Sequence, residues 1–108
     1  MPEKKIGGLE HTCTMRGILD IIGGKWSMPI IYNLFSGTKR FSELERSVTN
    51  INTRMLVKEL KNMEANGIVV RKVFATVPPT VEYTLTPKGR KLEPILCALH
   101  QWGEEYLV

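Results

Sequence analysis

The chain has 108 residues, 43% of them hydrophobic, and a net charge of +4. This length suits one domain with a single core and leaves no mass for a separate catalytic lobe. No apolar run approaches the ~20 residues that span a bilayer, no charged-then-apolar leader opens the chain, and its 2 cysteines make no secreted disulfide framework; the expectation is a cytoplasmic protein with no membrane partner.

The charge is unevenly placed. Residues 39–91 carry 11 Lys/Arg against 5 Asp/Glu, whereas residues 92–108 carry 3 acidic residues and no Lys or Arg. A basic centre fits a polyanionic partner.

Residues 1–12 are polar, contain glycines and show no period, so they read as a loose arm. A first helix is predicted over 14–22, with Met15, Ile18, Leu19 and Ile22 as its apolar stripe and Gly23-Gly24 as its end. A second is predicted from Trp26 to Phe35. Ser27 as its N-cap places Pro29 in the first turn, where proline is tolerated. A third, short helix is predicted to open with a capping box of Ser42 and Glu45, with Phe41 as its hydrophobic staple. It ends near Val48, and a turn over 49–52 follows.

The segment 52–67, NTRMLVKELKNMEANG, is marked at both ends. Asn52 is a good N-cap, because its side-chain oxygen can accept an orphan N–H of the first turn. Gly67 suits the left-handed residue that closes a helix. Leu56, Leu60 and Met63 recur at i, i+4 and i+7 and form a buried face. Arg54, Lys58 and Lys61 repeat that spacing on another face, with Thr53 and Val57 beside them. A helix that docks on a core and enters a DNA groove needs such a pair of stripes. A solvated amphipathic helix carries the same pattern, so the flanks decide. A short helix, a tight turn and a longer basic helix make a helix-turn-helix.

Residues 68–75 are rich in β-branched side chains, residues 81–85 alternate with period two, and Pro78-Pro79 between them excludes helix. The pair reads as a β-hairpin wing, with Lys72 and Thr76 in reach of phosphate. Thr86-Pro87 is an N-cap followed by proline at the first helical position. The last helix is predicted over 87–107, kinked by Pro94. Leu92, Ile95, Leu96, Leu99, Trp102 and Tyr106 share its apolar stripe. With the first helix, through Ile18, it reads as a dimerisation element; folding back on its own core is the alternative. The fold class is α+β, mainly helical: one winged helix-turn-helix domain over residues 1–108.

Thr53, Arg54, Val57 and Lys58 are the candidate groove contacts. Arg54 can fork onto guanine, and Thr53 can touch a thymine methyl or a phosphate. Lys58 serves equally well on phosphate, and Lys61 reads as a backbone contact or a solvated lysine. Arg40 and Ser42 open the third helix, whose dipole and free N–H groups favour phosphate. Trp26, Phe41 and Tyr83 read as core. The partner implied is double-stranded DNA. No Gly-rich phosphate loop, nucleophile–base pair or carboxylate cluster points to an enzyme or a cofactor. His11, Cys13, Cys97 and His100 lack the spacing of zinc ligands. The competing reading is a winged-helix protein–protein adaptor. It needs an exposed apolar patch on the basic helix, where the sequence offers only Val57 and Met55.

Several motifs stand at a specific spacing: Cys13 ahead of the first helix; Ile22-Gly23-Gly24-Lys25-Trp26; Arg40-Phe41-Ser42-Glu43-Leu44; residues 51–67; the proline hairpin ending in Val81-Glu82-Tyr83-Thr84-Leu85-Thr86; and Gly89, Leu92, Pro94, Leu99 and Trp102-Gly103. On these residues, over about residues 13–103, the chain resembles the HxlR-type transcriptional regulators, a winged-helix family related in architecture to the MarR type. The resemblance implies a dimeric bacterial regulator reading a pseudo-palindrome, with half-sites about one helical turn apart. It also implies an oxidant or small-molecule effector, because some members respond to oxidants, quinones or aldehydes through an N-terminal cysteine. Cys13 is then the candidate sensor, its thiol activated by His11, Arg16 or a helix N-terminus, and Cys97 its partner across the dimer. Cys97 reads more simply as a small buried hydrophobe. Pro29, and Thr14 directly after Cys13, depart from the family pattern.

Overall fold

A computed structural model describes residues 9–107, with side chains described from Thr14 on. Among the described residues six helices and three strands follow one another: α1 (Leu9–Ile22), α2 (Ser27–Leu34), β1 (Lys39–Arg40), α3 (Phe41–Ser47), α4 (Thr53–Ala65), β2 (Val69–Phe74), β3 (Thr80–Leu85), α5 (Pro87–Arg90) and α6 (Glu93–Tyr106). The strands form one antiparallel sheet in the order β1-β3-β2. This is the expected α+β winged helix-turn-helix. One core joins its helices to the sheet, and Ile30, Ile31, Leu34, Leu44, Leu56 and Met63 are wholly buried. Each such side chain contributes about 1.5–3 kcal/mol, so the buried stripe of α4 holds its opposite face toward solvent.

Both ends of α4 form as the sequence predicts. Asn52 accepts the Met55 N–H at 2.8 Å. Gly67 follows the helix at φ +73°, a conformation that costs a residue without Cβ nothing. The Thr86 hydroxyl likewise accepts the Gly89 N–H at 3.0 Å ahead of Pro87.

Five boundaries differ from expectation. Helix α1 already includes Leu9 to Cys13, ahead of the expected start at Thr14, because no proline or glycine interrupts residues 9–13; the rest of the expected loose arm, residues 1–8, lies outside the described residues. Ser27 is the first residue of α2 rather than its cap, and its buried hydroxyl donates to the Gly24 carbonyl at 3.1 Å. Pro29 is thereby the third helical residue, still among the positions whose N–H has no partner within the helix. The box of α3 is shifted two residues toward the N-terminus: Arg40 is the cap, and the Glu43 carboxylate accepts its N–H at 2.7 Å. Phe41 is the first helical residue, and Glu45 instead accepts from the Thr53 hydroxyl. Strand β1 was not expected; it pairs Lys39 with Tyr83 and Arg40 with Glu82. Pro94 does not kink one long helix but starts a new one, since a ring near the N-terminus of α6 cannot continue α5.

Helix α5 works as a clamp. Lys88 Nζ donates to the Asn66 carbonyl at 2.7 Å, at the end of α4, and Arg90 Nη1 donates to the Phe35 carbonyl at 3.1 Å, at the end of α2. A cation at a helix C-terminus satisfies an orphan carbonyl and opposes the negative end of the dipole. Two charges of the basic centre are therefore committed to the fold.

Candidate nucleic-acid interface

Arg54, Lys58 and Lys61 are all exposed and lie across α4 from the buried Leu56, Leu60 and Met63. Val57 is half-buried on the flank toward the wing. There a groove of about 420 Å³ is lined by Val57, Lys61, Glu64, Arg71 and Tyr83. Lys61 and Arg71 give this groove its positive charge, and Glu64 tempers it.

Arg71 was not among the sequence-based candidates, and Lys72 was. The register explains the exchange. Arg71 stands opposite Tyr83 and Lys72 opposite Glu82. Side chains alternate across a strand, and Tyr83 is buried toward the helices. Arg71 is therefore on the α4 side of the sheet and Lys72 on the back. The Lys72 ammonium lies 5.3 Å from the Phe74 ring centre. Arg40, paired with Glu82 from the other side, shares that back face.

Two expected hydroxyl contacts are engaged within the protein. The Thr53 hydroxyl ties α4 to Glu45 of α3. The Thr76 hydroxyl donates to the Pro78 carbonyl at 2.7 Å and lies 2.8 Å from the Thr80 hydroxyl, so it rigidifies the wing tip. The tip itself presents Val77, fully exposed at 101%. Ser42 is an exposed residue in the first turn of α3. The Glu43 carboxyl beside it is held below the ordinary glutamate range, first by the Arg40 N–H and then by Lys39, Arg40 and Arg46.

A second surface is apolar. Met15, Ile18 and Leu19 of α1 and Ile95, Leu99, Trp102 and Tyr106 of α6 are all exposed, with Trp102 and Tyr106 in ring contact at 5.3 Å. Leu96 and Leu92 depart from this set. Leu96 is only 4% exposed, Leu92 is half-buried, and both pack on the chain's own core. They face inward because α6 must seat one side on α2 before it can offer the other. Cys97 is exposed rather than buried, at a shallow cleft with Tyr32, Phe35 and Glu93. Cys13 lies in α1, and its side chain is outside the described residues. Among the described residues no His/Cys/Asp/Glu cluster could hold a metal, and no helix is long and apolar enough to cross a membrane.

The HxlR-like helix-turn-helix profile matches residues 21–108. The chain belongs to the HxlR family. This HxlR chain is 47% identical, over 105 residues, to the uncharacterized HTH-type transcriptional regulator YybR of Bacillus subtilis (strain 168), covering 96% of this chain and 84% of that one. A chain from Porphyromonas gingivalis W83 assigned to the MarR family superposes with a TM-score of 0.84 at 37% identity, over 95% of this chain and 99% of that one. The redox regulator HypR in its oxidized form superposes with a TM-score of 0.80 at 47% identity, over 86% of this chain and 96% of that one. HxlR proteins are DNA-binding transcriptional regulators with a winged helix-turn-helix, not enzymes.

Proposed function

We propose that this HxlR chain acts as a homodimer that reads a pseudo-palindromic operator. Helix α4 of each protomer enters the major groove, at half-sites about one helical turn apart, and the β2–β3 wing follows the adjacent backbone. The observation that carries this reading is the solvent stripe of α4, where Arg54, Lys58 and Lys61 stand together opposite a fully buried stripe. Arg54 and Lys58 reach bases and phosphates from the first turns. Lys61 and Arg71 bracket the groove toward the wing. Ser42 contacts phosphate from the first turn of α3, whereas Arg40 lies with Lys72 on the back of the sheet. The exposed apolar faces of α1 and α6 meet their counterparts in the second protomer. An adaptor would display an apolar patch on α4; the large apolar side chains beside its basic stripe, Met55 and Val57, are both half-buried.

Selection from a random DNA library at two salt concentrations tests this. Enrichment of a two-fold site, lost in Arg54→Ala, is the expected result. Weak, unenriched binding that disappears at moderate salt would reduce the stripe to general electrostatics.

Cys13 and Cys97 extend the reading to thiol sensing. The support is the exposure of Cys97 on α6 and the similarity to HypR, which is described as a redox regulator. In this scheme a peroxide takes two electrons and two protons from the thiols and leaves as water, and the sulfurs join across the dimer. Mass spectrometry after mild peroxide gives the answer: two thiols that stay reduced while DNA binding is unchanged end the sensing proposal.

A further inference from the structure

We infer that Asn62 and Asn66 are positioning residues that fix the tilt of α4 against both terminal parts of the fold and thereby set the half-site spacing the dimer accepts. This rests on the operator-reading dimer proposed above. Asp20 lies in the last turn of α1, where carbonyls have no N–H partner within the helix. Its carbonyl accepts from Asn62 Nδ2 at 3.2 Å. Asn62 in turn accepts from Asn66 Nδ2, at its carbonyl (2.9 Å) and at Oδ1 (3.3 Å). Asn66 is the C-cap of α4, and its own carbonyl accepts Lys88 Nζ at 2.7 Å. Lys88 belongs to α5, which leads directly into α6. One hydrogen-bonded strut thus runs from the end of α1, along the last turns of α4, to the base of the C-terminal helices. Asn62 and Asn66 border a cleft with Asp20 and Gly24, on the flank of α4 away from the wing.

The strut adds to what the core supplies. Apolar burial is non-directional and seats α4 on the fold, and hydrogen bonds, which have a preferred angle, add a directional restraint on its tilt. The strut grips the C-terminal end of α4, while Arg54 and Lys58 project from the other half. A 13-residue helix is about 20 Å long, so a rock of about 10° about the gripped end moves the free end by about 3.4 Å, the rise of one base pair. Loosening the strut therefore blurs discrimination between operators that differ by one base pair between half-sites, without changing how a single half-site is read.

The test uses operators whose half-sites are moved together or apart by one base pair, alongside an isolated half-site. Asn62→Ala removes the bond to Asp20 and the Oδ1 contact with Asn66 while the Asn66 bond to the residue-62 carbonyl persists, and Asn62→Asp keeps both acceptors toward Asn66 but loses the donor toward Asp20. One exposed hydrogen bond changes an equilibrium by about tenfold or less, so a wild-type spacing preference of roughly tenfold is expected to fall to about twofold in both variants. Half-site affinity and unfolding midpoint stay near the wild-type values. An unchanged spacing preference, or an equal loss on the isolated half-site, overturns the inference. A second readout needs no DNA. Spin labels at Arg16→Cys and Ala65→Cys, with Cys13 and Cys97 replaced by serine and the labelled chain diluted in unlabelled protein, report the α1–α4 distance. It is narrow in the parent and broad in Asn62→Ala; an equally narrow distance in both overturns the strut. If the wild type selects no operator, the operator-reading proposal has failed by itself, and the spin-label distance still decides whether α4 is held.

Discussion

Replacing Arg71 and Lys72 by alanine, one at a time, separates the two faces of the wing. The register puts Arg71 opposite Tyr83, on the α4 side, and Lys72 opposite Glu82, on the back. Arg71 shares a groove with Lys61, so it reaches the phosphates that flank a major groove filled by α4. Each phosphate contact contributes about 0.9 to the slope of log affinity against log salt. Both protomers carry the change, so Arg71→Ala is expected to flatten the slope by about 1.8 on a two-half-site operator. Between about 50 and 200 mM salt, that difference amounts to about twelvefold in affinity. Lys72→Ala is expected to leave the slope near the wild-type value, because its ammonium lies over Phe74 beside Glu82. Fluorescence anisotropy titrations of the selected operator across this salt range measure both slopes, with thermal unfolding as a control on folding. A slope flattened equally by both substitutions, or unmoved by Arg71→Ala, would refute the assignment of faces.

Three further outcomes concern the fold that presents this surface. A Cβ on Gly89 would lie 2.3 Å from the Ile68 carbonyl oxygen and 3.1 Å from Leu85 Cδ2, so Gly89→Ala must push α5 off the sheet; a loss of about 3 kcal/mol in denaturant unfolding is expected. Asn52→Ala removes the side-chain acceptor of the Met55 N–H and is expected to cost about 1 kcal/mol, with Asn52→Asp close to wild type. The folded Glu43 carboxyl has a depressed pKa, which gives stability present above the unfolded pKa and lost as pH falls through the folded one. The stability gap between wild type and Glu43→Gln is thus expected at neutral pH and closes in acid; a gap that widens in acid would reverse the sign.

Local chemistry was legible in the sequence wherever the deciding partner lies within a few residues. The Asn52 and Thr86 caps, the Gly67 stop and the buried stripe of α4 all belong to that class. The α3 box was misread because Arg40 and Ser42 each stand three residues ahead of a glutamate, and the choice fell to β1, which holds Arg40 extended against Glu82. That pairing joins residues some forty positions apart, beyond the reach of periodicity. Within the candidate site the basic stripe was visible, but the wing was not. Whether Arg71 or Lys72 faces α4 depends on a register set by β3, and a one-residue slip exchanges them. Leu96 shared a stripe with Leu99 and Trp102 in the sequence, yet only the packing of α6 on α2 separates the inward side chain from the outward ones. The bond from Asn62 to Asp20 had no sequence signal at all.

The root of the wing is pinned three ways: the Thr86 N–H meets the Ile68 carbonyl at 2.9 Å, the Thr86 hydroxyl meets the Gly67 carbonyl, and Gly89 lies flush against Ile68. At the other end Val77 stands wholly clear of the fold. The hairpin is in this sense a cantilever, clamped at its base and unloaded at its tip. Residues added or removed in pairs, one on either side of 77–79, alter its reach by about 3.3 Å per pair and leave the clamp untouched. Wing length is thereby decoupled from folding, so a lineage of such regulators can extend or shorten its footprint on DNA without rebuilding the domain that carries it.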